Sequence, residues 1–151
     1  MWWIGRRLTD GRVDMPPFTL HPRLAADTVP VGDLPLCRVL LMADARFPWL
    51  ILVPRRDDLT EFIDLAAPDR AVLMEEIALV SYALQRETGA GKLNVGALGN
   101  IVTQLHVHVV ARSHGDAAWP GPVWGSGVAL AYADDAAQRL VTQIRAALSF
   151  R

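Results

Sequence analysis

Cysteine is nearly absent from this chain of 151 residues: Cys37 stands alone. One thiol cannot close an intramolecular disulfide, which fits a reducing, cytoplasmic compartment. Long apolar runs are missing as well. No stretch approaches the roughly 18 residues of a membrane helix, so no membrane partner is expected. The start, Met1-Trp2-Trp3-Ile4-Gly5-Arg6-Arg7, lacks the charged opening and long apolar core of a secretory signal. An excess of charge is lacking too, since 15 Lys and Arg against 16 Asp and Glu leave a formal net charge of −1. That balance supplies no bulk basic field, and nucleic acid is not an expected partner. Internal repeats and low-complexity tracts are also missing.

What is present suits a folded core. The chain is 52% hydrophobic and 21% charged, a composition of one globular domain. The first 14 residues carry no periodic pattern. They read either as a flexible tail or as an over-extended start upstream of Met15, which leaves 15–151 as the domain. Cys37 lies in the apolar run Leu36–Met42 and reads as a buried small hydrophobe rather than a nucleophile.

Residues 15–35, rich in Pro, Asp and Thr, read as irregular with short extended pieces, and Leu24 to Asp27 as a helical turn. Residues 36–43 and 49–53 read as strands joined by the turn Asp44–Pro48, hence an antiparallel hairpin. Asp57 or Asp58 can cap a short helix over Leu59–Leu65. A longer helix starts at Pro68. Its apolar positions Val72, Leu73, Ile77, Val80 and Leu84 recur at helical spacing, and Gly89 or Gly91 ends it. Residues 92–97 and 103–111 read as a second hairpin turning at Gly96–Asn100. Residues 113–127 form a loop with Trp119, Pro120, Pro122 and Trp124. A last helix spans Asp134 to Leu148, with Leu140, Val141, Ile144 and Leu148 on one face. Hairpins rather than crossovers make this α+β, with helices on one face of an antiparallel sheet. The other face is left for substrate or a partner subunit.

The chemistry concentrates in Gln104-Leu105-His106-Val107-His108-Val109-Val110. In a strand, 104, 106 and 108 share one face, spaced about 7 Å apart, while 105, 107 and 109 serve the core. Imidazole is the usual side chain for nucleophilic or proton-transfer work near neutral pH. A zinc site would need about four ligands. Cys37, His21 and His114 complete no clear set, and no metal is expected. Plain histidines on a solvated face remain the bland alternative.

The pattern Asn94-x-Gly96-x-x-Gly99-Asn100-x-Val102-x-Gln104-x-His106-x-His108-x-Val110 closely resembles the histidine triad (HIT) nucleotide hydrolases and transferases. Trp49–Pro54, the helix after it and Trp119-Pro120 extend the resemblance over roughly residues 36–125. It implies a homodimer on an antiparallel sheet of about five strands, with a nucleoside phosphate bound over it and no cofactor. It implies attack on the α-phosphorus by His106, with a backbone carbonyl setting the tautomer of that ring. The third triad histidine maps to His108, which would bind phosphate or assist the leaving group.

The first triad histidine maps to Gln104, the departure from the pattern. An amide can orient a neighbour or bridge to phosphate but cannot act as a general acid near neutral pH. A further family histidine on the preceding strand is replaced by Trp49, which otherwise reads as core or base-pocket packing. The resemblance also points to Asn100 and Asn94 at phosphate, and to Gly96 and Gly99 as backbone that lets phosphate approach. It points to Asp44 at the ribose hydroxyls and the Trp119 loop at the site or the partner subunit; Arg112, a cation just past the histidine strand, reads by position as a phosphate contact. The bland readings are turn chemistry for Asn100 and Asp44, a solvated rim for Arg55, Arg56 and Arg112, a loop staple for Trp119 and Trp124, and an exposed His114. The expected activity is cleavage at the α-phosphate of a dinucleoside polyphosphate or nucleoside phosphoramidate. The alternatives are a nucleotide sensor with little or no turnover and a structural dimer module.

Overall fold

The computed structural model describes residues 18–150; the tail expected over 1–14 lies outside them. Among the described residues, the elements run α1 (Pro22–Asp27), β1 (Thr28–Asp33), β2 (Cys37–Met42) and β3 (Trp49–Pro54). A 3-10 turn at Phe62–Asp64 leads to α2 (Ala67–Thr88), β4 (Lys92–Gly96), β5 (Val107–Arg112) and α3 (Ala136–Ala147). The five strands form one antiparallel sheet in the order β1-β2-β3-β5-β4.

The hairpin expected from 36–43 and 49–53 forms, with Cys37 opposite Pro54 and Leu41 opposite Leu50. Within 15–35, the helical turn expected at Leu24–Asp27 forms as part of α1, and the extended piece after it is the regular edge strand β1. His21 Nδ1 accepts from the Arg23 amide and Pro22 takes the first turn of α1, a proline position that loses no helical hydrogen bond. β1 pairs with β2, with a register shift between Pro30 and Gly32 that blurs the alternation in sequence. Gly32 has a packing reason: a Cβ there would meet the Phe150 ring at 2.8 Å.

The helix expected over Leu59–Leu65 shrinks to the 3-10 turn, capped by Glu61 and Asp64 rather than by Asp57 or Asp58. Helix α2 ends where expected, at Gly89, which takes φ +67°. Val72 departs from its expected inward face and is 37% exposed. Leu73, Ile77, Val80 and Leu84 are buried against the sheet and α3, where Val141, Ile144 and Leu148 meet them.

This core takes one face of the sheet, through Val39, Leu41, Leu50, Leu52, Val107 and Val109. The opposite face carries a second cluster of Leu40, Trp49, Ile51, Val53 and Val110, covered by Leu24, Phe47, Val102 and Val123. Strands with apolar residues on both faces are buried end to end, as β3 and β5 are. No described helix is long and apolar enough to cross a membrane.

Candidate active site

The histidine segment enters the sheet later than its composition suggests. β5 begins at Val107, and the connection from β4 runs from Ala97 to His106. The Leu105 amide donates to the Leu59 carbonyl at 2.9 Å, so the segment ahead of Val107 pairs with a loop instead of β3. Alternation nevertheless persists. Leu105, Val107 and Val109 enter the helix-side core, while His106 and His108 emerge on the other face.

The two imidazoles lie 4.8 Å apart between ring centroids, edge to face at 72°. Each is 7% exposed. His106 Nδ1 sits 2.6 Å from the Gln104 backbone oxygen. A carbonyl can only accept, so Nδ1 carries the proton and Nε2 keeps its lone pair. His108 Nδ1 lies 3.0 Å from Trp49 Nε1. Burial, followed by the neighbouring His106, pushes the His108 pKa down to about 3.

Both histidines face a cavity of about 490 Å³. Asp44, Trp49, Gly99, Asn100 and Trp124 share its wall, and Arg23 and Asp27 enter from the N-terminal segment. Gly99 takes φ +69°, a conformation open to glycine, and so turns the backbone at the rim. Gly96 has a packing reason: a Cβ there would press on the Trp124 ring at 3.3 Å.

Asp44 is 2% exposed and anchors one end of the cavity. Its carboxylate accepts from Arg46 Nη2 at 2.6 Å, from the Arg46 amide and from the Leu130 amide. Burial alone would raise its pKa, but the Arg46 side chain and these backbone amides outweigh it and hold the pKa below the ordinary value. Arg46 Nη1 also donates to the Ser126 carbonyl at 2.6 Å. This node straps residues 126–130 along the cavity, where Ser126, Gly127 and Ala129 form part of the wall.

The structure brings His106, His108, Gly99, Asn100 and Asp44 together and sets the other expected site residues apart. The Gln104 amide turns away from the cavity: Oε1 accepts from the His21 amide at 2.8 Å and Nε2 donates to the Thr19 carbonyl at 2.9 Å. Arg112, expected at phosphate or on the rim, is 1% exposed. It forks onto Asp116 at 2.7 and 2.9 Å and donates to Asn94 Oδ1 at 2.6 Å. Its guanidinium also lies over the rings of Phe47 and Trp119. Asn94, Arg112 and Trp119 therefore form a polar clamp at the end of β5, off the cavity wall. His114 packs on Trp119 at 4.3 Å between centroids.

Sequence reasoning missed Arg46, Arg23 and Asp27 at the cavity, and for Arg23 and Asp27 there was no signal to find. Arg46 carried a weak signal, lying two residues after Asp44, where a turn can fold a cation onto an acid. Cys37, as expected, is buried, and burial and then Glu76 push its thiol pKa far up, away from the reactive range.

A HIT domain model matches residues 23–115. The chain belongs to the histidine triad family. A histidine triad protein from Bradyrhizobium japonicum is 51% identical over 88% of this chain and 99% of its own, with a TM-score of 0.86. A histidine triad protein from Sinorhizobium meliloti is 50% identical over 85% and 96%, with a TM-score of 0.84. One from Marinobacter aquaeolei is 41% identical over 88% and 97%, with a TM-score of 0.85. No protein of curated function matches the chain significantly. Membership supports a nucleotide-binding or hydrolase type of function in general terms.

Proposed function

We propose that this HIT protein cleaves a nucleoside phosphate derivative at its α-phosphorus through a nucleotidyl-histidine intermediate. The observation that carries the reading is the Gln104 carbonyl on His106 Nδ1, which leaves the Nε2 lone pair free on a cavity-lining ring. In the first step Nε2 forms a bond to phosphorus, and the bond from phosphorus to the leaving group breaks with its electron pair. The imidazole becomes cationic, and the Gln104 carbonyl stabilises that charge. In the second step water attacks phosphorus, the N–P pair returns to Nε2, and a proton passes to solvent. Each step uses groups of this chain.

Asn100 and the turn at Gly99 are assigned to the phosphoryl oxygens, His108 to the same oxygens as a donor, and Asp44 to the ribose hydroxyls. Asn94, Arg112 and Trp119 support the site from behind through the clamp on β5. Dinucleoside polyphosphates and nucleoside phosphoramidates are the substrate classes to assay.

Turnover of both classes is expected for the wild type and is expected to fall by several orders of magnitude in His106→Ala. Acid-quenched enzyme should carry a phosphorus label on His106. Tight mononucleotide binding with no His106-dependent turnover would sink the enzyme reading. It would favour a nucleotide sensor, which the engagement of the Gln104 amide by residues 19 and 21 independently supports.

A homodimer is part of the same reading. β4 lies at the edge of the sheet with Val95 49% exposed. Met74, Leu79 and Tyr82 expose apolar surface on α2, at 62%, 45% and 71%. A free strand edge beside apolar helix surface is what a two-fold partner can cover.

A further inference from the structure

We propose that Trp49 is a positioning residue whose indole N–H fixes His108 as the Nε2–H tautomer, making the second site histidine a neutral hydrogen-bond donor rather than a titrating acid. An indole nitrogen can only donate. At 3.0 Å from His108 Nδ1, it requires that nitrogen to present its lone pair, and the proton then lies on Nε2. The two histidines are thus set in opposite states by opposite partners. A carbonyl acceptor leaves His106 with a bare Nε2, and an indole donor leaves His108 with a protonated one.

The surroundings hold this arrangement. Trp49 is 5% exposed and meets the His108 ring edge to face at 5.4 Å between centroids. Trp124 closes a third side, 5.7 Å from His108 and 6.1 Å from Trp49. The groups facing His108 are Trp49 and Ile51 from β3, Gly96 from β4, Trp124 from the loop and His106 from its own segment. Of these, His106 alone has an ionisable side chain. The charged residues on the cavity wall come as the pairs Asp44–Arg46 and Arg23–Asp27, which cancel. Burial first, then His106, disfavours a proton on His108 Nδ1 down to about pH 3.

The inference narrows the substrate class, and that consequence rests on the enzymatic reading above. Gln104 cannot supply a proton, and His108 Nε2–H stabilises an oxygen without giving its proton up. The leaving group must then depart with its electron pair unaided. A phosphate, polyphosphate or carboxylate oxygen does so readily at neutral pH. An alkylamine nitrogen does not, because it must gain a proton before the P–N bond breaks. The geometry therefore points to an anhydride at the α-phosphorus.

Long-range proton–nitrogen NMR on the full chain tests the tautomer directly. His108 is expected to show a bare Nδ1 and a protonated Nε2 from pH 8 down to pH 5. In Trp49→Phe, which keeps an aromatic ring and loses the N–H, the two neutral tautomers should mix. A protonated Nδ1 in the wild type, or an unchanged tautomer in Trp49→Phe, overturns the proposal. If Trp49→Phe does not fold, the wild-type indole proton decides. Slow exchange and a downfield shift support the bond; rapid exchange refutes it.

Anhydrides are expected to exceed matched alkyl phosphoramidates by on the order of 10²-fold in kcat/KM, the lower range of general-acid contributions. The gap should narrow in Trp49→His. Equal rates for the two classes overturn the substrate inference and leave the tautomer standing. The NMR result with no turnover at all leaves Trp49 in its role and defeats the enzymatic reading instead.

Discussion

Arg112 shows how far a side chain's address can depart from its place in the sequence. It follows the histidine strand, where a cation suggests phosphate, yet its donors are aimed at Asp116 and Asn94 inside the fold. The Arg112 hydrogen bond, followed by the backbone amides of Ala118 and Ser113 against an opposing burial effect, draws the Asp116 pKa down to about 2. A carboxylate whose folded pKa is depressed contributes stability above its unfolded pKa, near 3.8, and loses it as pH falls through the folded value. Asp116→Asn is therefore expected to be destabilised by about 3 kcal/mol at neutral pH, since it leaves a buried guanidinium unpaired. The gap to wild type should close between about pH 4 and pH 2. Urea denaturation across that range checks both sign and window; a gap independent of pH would place the effect in packing. Asp44 and Arg46 differ in kind, because they face the cavity as well as each other.

At the scale of elements, the join between α2 and the sheet depends on a carboxylate that periodicity hides. Glu76 lies among the apolar positions of α2, 4% exposed. Its two oxygens accept from the amides of Leu36 and Cys37 at 2.7 and 2.8 Å, holding the start of β2. Glu76→Ala leaves two buried N–H groups unsatisfied and is expected to cost about 3 kcal/mol. Glu76→Gln keeps one acceptor and should fall between the two. Equilibrium unfolding ranks the three proteins; Gln as harmful as Ala would mean that the charge matters more than the acceptor count.

The strap over the cavity is a second element-level device. Arg46→Met removes the bond to Ser126 and the ion pair with Asp44. Amide protection should fall at residues 126–130 and stay unchanged in α2, as hydrogen exchange can resolve. The hairpins and the two long helices were legible in the sequence because their periodicities are local. β1 was not, because Pro30, Gly32 and a register shift interrupt its alternation. The late start of β5 was not either, because it depends on a hydrogen bond from Leu105 to Leu59, 46 positions away.

At the scale of the molecule, one sheet separates a helix-backed core from the face that carries the histidines. That face is filled near Phe47 and Val123 and open at the cavity. The apolar residues exposed on α2 and β4 belong to the proposed dimer. Val95→Asp together with Tyr82→Glu is expected to give a monomer by sedimentation at micromolar concentration, with the fold intact by circular dichroism. An unchanged mass would assign that surface to something else. The sequence by itself determined the α+β class, the histidine pair and the family, because each rests on residue type at short spacing. Tertiary structure decided what those residues do to one another. Gln104 ends on the N-terminal segment, Arg112 serves Asp116 and Asn94, and Trp49 reaches His108. Each of these depends on a hydrogen bond to a partner, backbone or side chain, that folding sets in place, which residue type and spacing do not encode.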